Sequence, residues 1–563
     1  MKIIYLLLTV FSFTKVVDAQ VDQMKEKTMS FIKLWGFLKY FHPVVSDGKL
    51  DWDEEFMNGI RQLPQLKSKK ELNGFFMQRI TSLGKIPICK SCKDTIAGGL
   101  NYNLNINWIN DTSAFTPELI EKLKVIRNNR NQRQNHYAYL KTTALVVRWS
   151  GPTFENEKAY PDSIFPDVPM RILTLARYWN IINYYYPYKY VLDQDWDTVL
   201  AELTKKFYEV TDTLSYHLAI LEMTRKISDS HSGFITPQIS EFFGKMLPPF
   251  LVQIIDEKAV VIASPFPDSS INGNVLQPGD VILAVDDVPV KTVIDQKLVY
   301  MQGSNEATKL RNLASYLLKG KSDSIKLMYD RHGRVATKIF RRYSFNELTA
   351  KLTNANKNKV QLLKPWRIYD DNIGYINLGR LQPKQVDNAM KDLMETKGLI
   401  LDVRNYPASL YPQLGKYLNI ERKAFAKLLT PDLSFPGVMK HSSFQYTGKN
   451  QEPVYKGKVV LMVNEQTQSR AEFTVMALQT GRDVITIGSQ TAGADGDSRK
   501  IPLPGGFLAT ITGIGMYYPD GKETQRVGIV PDIEVKPTIE SIRSGRDEVL
   551  EQAKKIVNGN QKI

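Results

Sequence analysis

The amino-acid sequence predicts a multidomain protein: an α/β core on a mainly parallel sheet, a β-rich module before it and a helical region at the N-terminus. Three observations carry this reading. At 563 residues the chain is too long for one hydrophobic core. From Ile373 onward, short β-branched runs alternate with helical periodicity, the pattern of a parallel sheet whose sites lie at strand ends. Nearer the N-terminus, an aromatic helical unit occurs twice. Leu34–Pro43 (LWGFLKYFHP) matches Tyr178–Pro187 (YWNIINYYYP), and Trp35 and Trp179, Pro43 and Pro187, and Asp51 and Asp195 are each 144 residues apart. Two copies are too few for a solenoid, so they read as paired helical units packed on one another.

The first residues bear on compartment. Lys2 precedes an apolar run from Ile3 to Phe13, and Val17-Asp18-Ala19 ends it as a secretory leader would, with cleavage after Ala19. No later stretch is long enough to span a membrane, so an exported chain, periplasmic or extracellular, is expected. The net charge of +15 is spread along the chain without a nucleic-acid-binding module, so no nucleic-acid partner is expected. Cys89 and Cys92 are the only cysteines; two thiols cannot complete a zinc site, and a local disulfide is expected. No metal or other cofactor is called for.

In order, the readings divide the chain into a leader at 1–19, a helical region with the first copy at 20–160, a second copy at 161–236, a β-rich module at 237–345, the α/β core at 346–537 and a terminal helix at 538–563. The second copy runs on through EMTRKISDSHSGF, where the first has no histidine, so Ser230-His231 is an addition that the helical scaffold does not require. His231 falls in a Ser/Gly-rich loop, and taken alone reads as a structural or solvent-exposed residue as readily as a catalytic one. His42, on an aromatic helix before a proline, reads as packing. In the core, Ile373–Leu378, Gly398–Val403, Lys458–Val463 and Val484–Gly488 read as strands, Gln385–Thr396 as a helix, Phe507–Tyr518 as a hairpin and Ile539–Val557 as a closing helix. Ser469 stands where a strand end turns into a helix. Unpaired N–H groups there suit a developing oxyanion, and they equally suit a plain N-cap.

Leu276-Gln277-Pro278-Gly279-Asp280 with Val281–Val285 resembles a PDZ domain, a fold that adds a peptide strand to a sheet edge and holds its carboxylate on backbone N–H groups. The corresponding loop here, Met246–Phe250, carries Pro248 and Pro249, which lack that donor. Four further segments, GYINLGRL, LILDVRNYP, VVLMVNEQTQSRAEF with TIGSQTAG, and YYPDGKETQRVGIVPDIEV, resemble in order the C-terminal-processing, or tail-specific, serine proteases. The resemblance implies a crotonase-like α/β core and a polypeptide substrate. One branch of that family uses a lysine about 25 residues beyond the serine; here that position is Ala494, which cannot accept a proton, so only Lys500 or Lys522 could substitute from elsewhere. The tricorn-like branch uses a Ser-His pair ahead of the PDZ-like module, and Ser230-His231 stands there.

On that resemblance, Ser469 attacks, His231 is the general base, Glu523 orients the imidazole and Ser230 supports the carboxylate. Gln525 stands nearer the position where the family often has its glutamate. The Arg470 N–H and one from Ala408 or Ser409 form the oxyanion hole, in a loop that usually carries paired glycines. Rival readings are a catalytically silent peptide- or ligand-binding relative, a serine esterase on the same core, and a structural surface protein.

Overall fold

The computed structural model describes residues 2–141, 151–266, 275–356, 364–449 and 453–559, with the side chains of 2–21 and 354–356 left aside. These residues form two compact units. The first comprises Met1–Ile227, Leu429–His441 and Asp497–Ile514; the second comprises Ser228–Leu428, Ser442–Gly496 and Gly515–Ile563. The side chains of the expected leader lie outside the described residues, although the backbone there is helical. No helix among the described residues is long and apolar enough to cross a membrane.

In the first unit the repeat is visible as chemistry. Helices α1 (Lys2–Phe41) and α2 (Trp52–Gln62) form one copy, and α3 (Val168–Tyr185) and α4 (Trp196–Glu209) the other. In each copy two tryptophans exchange indole N–H bonds with each other's carbonyl: Trp35 to Trp52 at 2.8 Å and back at 3.1 Å, Trp179 to Trp196 at 2.8 Å and back at 3.0 Å. The aspartates ahead of the second helices, Asp51 and Asp195, cap them through their side chains. The copies also exchange ions. Lys33 pairs with Asp197 at 3.0 Å and its counterpart Arg177 with Asp53, the counterpart of Asp197, at 2.6 Å. Such crossed pairing is what a local two-fold relation between the copies produces. Helices α1 and α3 pass closely at Gly36, where a Cβ would lie 1.9 Å from Asn180 Oδ1.

Only one half buries its ions completely. Lys39, Asp53, Glu157 and Arg177 are all at most 5 % exposed, with Lys39 2.8 Å from Glu157 and the Arg177 Nε 3.0 Å from the same carboxylate. The Lys39 ammonium also sits 4.4 Å and 4.2 Å from the ring centres of Trp35 and Tyr137. Arg177 further donates to the Pro502 carbonyl at 2.8 Å, which fastens a hairpin to α3. That hairpin pairs Ser498–Leu503 with Phe507–Thr512, so the expected hairpin at 507–518 is displaced toward the N-terminus. Gly505 and Gly506, both at positive φ, supply its turn. His42 is buried and its Nδ1 accepts the Val44 N–H at 3.3 Å, with burial lowering its pKa to about 4. Cys89 and Cys92 form the expected disulfide.

The second unit includes the sheet of the β-rich module and the sheet of the α/β core. In the β-rich module, β1 (Leu251–Ile255), β2 (Lys258–Ala263), β3 (Val281–Val285), β4 (Ser324–Arg331) and β5 (Arg334–Arg341) lie in that order, antiparallel throughout, with α5 (Val290–Leu298) packed on α6 (Glu306–Leu317) and α6 against β1. Asp280 of the Leu276–Asp280 turn is clamped by Arg331 at 2.8 and 2.6 Å.

The core sheet contains β6 (Trp366–Ile368), β7 (Ile373–Asn377), β8 (Gly398–Asp402), β9 (Lys458–Val463), β10 (Val484–Gly488) and β11 (Ile533–Glu534). Its order is β11-β10-β9-β8-β7-β6, parallel except at β6–β7. Among the described residues the sheets are therefore mixed, and "mainly parallel" describes this one sheet. Helices α7 (Val386–Leu393) and α8 (Arg470–Leu478) contribute apolar residues to the core cluster that also takes one face of the sheet. Helix α10 (Glu548–Val557) packs on the other face through Val549, Ala553 and Ile556. The expected closing helix is two: α9 (Ile539–Arg543) ends early and Asp547 caps α10 afresh.

Replacing Arg177 by Met strands Asp53 and Glu157 beside one cation. This should cost about 3–5 kcal/mol in urea unfolding. Glu121→Ala, at an exposed pair with Lys124, should change stability by about 0.5 kcal/mol or less.

Candidate active site

Strands β8, β9 and β10 run parallel, so the loops leaving their carboxyl ends, 403–410, 464–469 and 489–496, emerge from one edge of the sheet. Ser469 lies at the end of the middle loop, immediately before α8. Its backbone has φ +57° and ψ −120°, a conformation that L-residues avoid and that costs on the order of 1–3 kcal/mol. Surrounding bonds hold it there. The Ser469 N–H donates to the Ala494 carbonyl at 3.0 Å and to Glu472 Oε2 at 3.0 Å, and its carbonyl accepts from Phe473 N–H at 3.0 Å. Its hydroxyl points to the Gly496 carbonyl at 3.3 Å. A plain N-cap would have turned that oxygen to the helix N–H groups.

The oxyanion candidates stand beside it. The Arg470 N–H, at the first helical position, has no acceptor among the described residues, and neither do those of Ala408 and Ser409. Their loop is drawn to the serine by two contacts. Thr467 donates its hydroxyl to the Val403 carbonyl at 2.8 Å, and the Arg470 guanidinium lies 5.5 Å from the Tyr406 ring centre. Ala408 is partly buried against the core, whereas Ser409 is exposed.

Ser230 and His231 open the second unit. Gln468, the residue before Ser469, donates its side-chain amide to the Ser230 carbonyl at 3.1 Å. The His231 N–H donates to Asp229 Oδ1 at 2.9 Å, and the residue is half-buried. The Ser230 hydroxyl differs from expectation: it donates to the Ala492 carbonyl at 2.9 Å and accepts from Ser304 N–H at 2.8 Å, so its proton goes to a carbonyl in place of a carboxylate. Gln525 is buried and donates to Ser304 Oγ at 3.5 Å, joining this network. Glu523 is half-buried in a bridge to Tyr517.

The lysines sit as follows. Position 494 is a fully buried alanine. Lys522 is exposed and pairs with Asp520 at 3.3 Å, and Lys500 lies on the hairpin of the first unit. No group of three metal-ligating side chains converges among the described residues.

Two acids behind the serine went unread in the sequence. Glu472 and Asp495 are both buried. Burial raises the Glu472 pKa, against hydrogen bonds that pull it down; burial and the neighbouring Glu472 hold the Asp495 carboxyl well above the usual range. The Ser-x-x-Glu spacing of a capping box was the available signal for Glu472. Arg311 also escaped notice; it donates to the Glu465 carbonyl at 2.7 Å and to Gln468 Oε1 at 2.9 Å, bracing the loop that carries Ser469.

Residues 372–535 match the profile of peptidase family S41. Over these residues the α/β core is similar to peptidase family S41. A carboxy-terminal-processing protease of Bartonella bacilliformis is 26% identical over 201 residues, 34% of this chain and 45% of its own. A probable CtpA-like serine protease of Staphylococcus haemolyticus is 23% identical over 58% of this chain and 61% of its own. The chain thus spans about half the length of these two relatives. A carboxyl-terminal-processing protease of Picosynechococcus sp. is 22% identical over 64% of this chain and 82% of its own. Among solved structures, mature CPAF superposes with a TM-score of 0.54 at 15% identity, covering 70% of this chain and 99% of that one, a likeness of fold. The family match begins just before β7 and ends just after β11, so it takes in Ser469 and the loops around it.

Both acid shifts run upward. Their contribution to stability is fully present below the ordinary carboxyl range and is lost as pH rises through the folded-state values, at about 1.4 kcal/mol for each tenfold change in proton affinity. Asp495→Asn removes one of the two ionisations. Its melting temperature should therefore fall less than that of the wild type between about pH 5 and pH 9, as scanning calorimetry would read.

Proposed function

We propose that the chain is an exported serine peptidase of the carboxyl-terminal-processing kind, acting on polypeptides through a histidine-activated serine. The observation that carries this is the setting of Ser469: a strained strand-to-helix turn with an unoccupied Arg470 N–H beside it and an alanine where a lysine base would stand. In this mechanism the Ser469 hydroxyl attacks the scissile carbonyl while His231 takes its proton and later returns it to the leaving amine. The carbonyl oxygen gains its negative charge against the N–H groups of Arg470 and of Ala408 or Ser409. Glu523 is the carboxylate assigned to orient the imidazole, with Gln525 beside Ser304 as a neutral alternative for that place. Gln468, bonded to the Ser230 carbonyl, supports the pairing of serine and histidine segments in one site.

The β-rich module is assigned as PDZ-like, with its groove between β1 and α6. It is not a carboxylate receptor. The Met246 and Leu247 N–H groups are spent on the Gly320 and Tyr343 carbonyls at 3.0 and 2.8 Å, and Pro248 and Pro249 have none. Substrate capture there would use strand pairing along β1 without a terminal anchor.

A fluorophosphonate probe should label Ser469 in the wild type and leave Ser469→Ala unlabelled. A folded wild type that is never labelled would make the chain the silent, ligand-binding relative, a reading that the non-glycine Ala408-Ser409 loop favours. His231→Ala should lower kcat at least about a thousandfold with the fold intact, while Lys522→Ala should change it less than twofold. Amidating the C-terminus of an unstructured peptide substrate should alter kcat/KM by less than about threefold, since a lost charge-assisted anchor would cost tenfold or more.

A further inference from the structure

Glu472 is buried without exposure, and both oxygens of its carboxylate are engaged twice. Oε1 accepts the Thr491 hydroxyl at 2.5 Å and the Gly493 N–H at 2.8 Å; Oε2 accepts the Ser469 N–H at 3.0 Å and the Ala494 N–H at 3.2 Å. Four donors on one carboxylate exceed what a helix cap needs, and three of them come from a different loop.

That loop, 491–494, is where the other segments of the proposed site attach. Its Ala492 carbonyl accepts the Ser230 hydroxyl at 2.9 Å and the Thr308 hydroxyl at 3.1 Å. The Thr491 hydroxyl accepts the Ile529 N–H at 2.7 Å, and the Gly493 carbonyl accepts the Arg526 N–H at 2.8 Å. Asn305 donates to the Thr491 carbonyl at 2.8 Å and to the Arg526 carbonyl at 3.1 Å. The segment ending at Ser230-His231, the start of α6 and the segment after Glu523 and Gln525 therefore all hang from one loop. Glu472 is the side chain that ties this loop to the serine's own N–H.

We propose that Glu472 is a positioning residue for the peptidase reaction: its carboxylate sets the register between Ser469 and the loop that carries the Ser230-His231 segment. It touches no substrate and transfers no proton. It acts by keeping Ser469 in its strained conformation while holding the base's support at a fixed place. The inference rests on the peptidase reading of the previous subsection. The charged and titratable groups around it are Asp495 on the same loop, Tyr518 and Arg311, all of which respond to it electrostatically. Its place at the third position of α8 adds the favourable end of the helix dipole to the four donors.

Glu472→Gln keeps the shape but turns an NH2 toward two N–H or O–H donors, so two of the four bonds are lost on one side. The expected result is a fall in kcat of about a hundredfold with KM changed less than threefold, a matching fall in the rate of fluorophosphonate labelling, and an unchanged far-ultraviolet circular dichroism spectrum. Should the variant fail to fold, Thr491→Val and Thr491→Ser decide. Losing only the hydroxyl should reduce kcat about tenfold at constant KM, and restoring a hydroxyl as serine should recover most of it. A labelling rate equal to wild type in Glu472→Gln, a loss confined to KM, or no difference between the Thr491 variants overturns the inference while leaving Ser469 as nucleophile. A wild type unlabelled at Ser469 overturns the peptidase reading, and the inference with it.

Discussion

The parallel pairing of β9 between β8 and β10 is the constraint from which the site follows. With Val459 opposite Leu399 on one side and Val484 on the other, the three strands end in register. Their loops must leave together. Each of β8 and β9 is apolar and buried along nearly its whole length, with alternate residues in two different core clusters, so a shift by one residue would exchange the side chains that pack with α7 and α8 for those that pack with α10. The burial that fixes the register thus also fixes which backbone N–H groups meet at Ser469. The strain at Ser469 is affordable because the neighbouring loops are already held by the sheet, and Glu472 needs only to bridge a gap whose width the strands determine.

Much of this was legible wherever the signal is local. Val484–Gly488 reads as a strand from five residues, Ser469 as a strand-to-helix turn from its flanks, and Ala494 as a position without a base from its identity alone. The repeat was legible for a different reason: tryptophan and aspartate at a constant spacing are there because each pair closes a hydrogen-bonded unit, Trp35 with Trp52 and Trp179 with Trp196. Where the sequence misled, a local rule competed with a partner elsewhere. Phe507–Tyr518 alternates like a hairpin, yet Gly505-Gly506 turns the chain before it, and the strand takes Ser498–Leu503 as its mate.

Contacts between distant segments were beyond any local reading. Gln468 meets Ser230 across 238 residues of chain and Ser230 meets Ala492 across 262. Neither glutamine nor alanine carries a pattern that advertises such a role. The Ser230 hydroxyl illustrates the cost of carrying a role over by resemblance: a serine beside a histidine is expected to serve a carboxylate, but here its donor and acceptor are both taken by backbone groups. Those two bonds join the segment at Ser230 to the Ala492 loop and to Ser304.

The same accounting separates the two glutamates. Glu523 is half-buried in a short bridge at a turn, while Glu472 is fully buried with four donors. A carboxylate in such a place costs several kcal/mol to desolvate and persists only when its lone pairs are satisfied. An alanine and a few apolar neighbours would fill the space behind α8 more cheaply. The ionic solution offsets its desolvation only if directional bonds from Ser469, Thr491, Gly493 and Ala494 must be held to fixed lengths, as the chemistry proposed for Ser469 would require. Asp495, pushed toward its neutral form by the same burial and by Glu472, leaves the charge of the pair on the member that makes the four bonds.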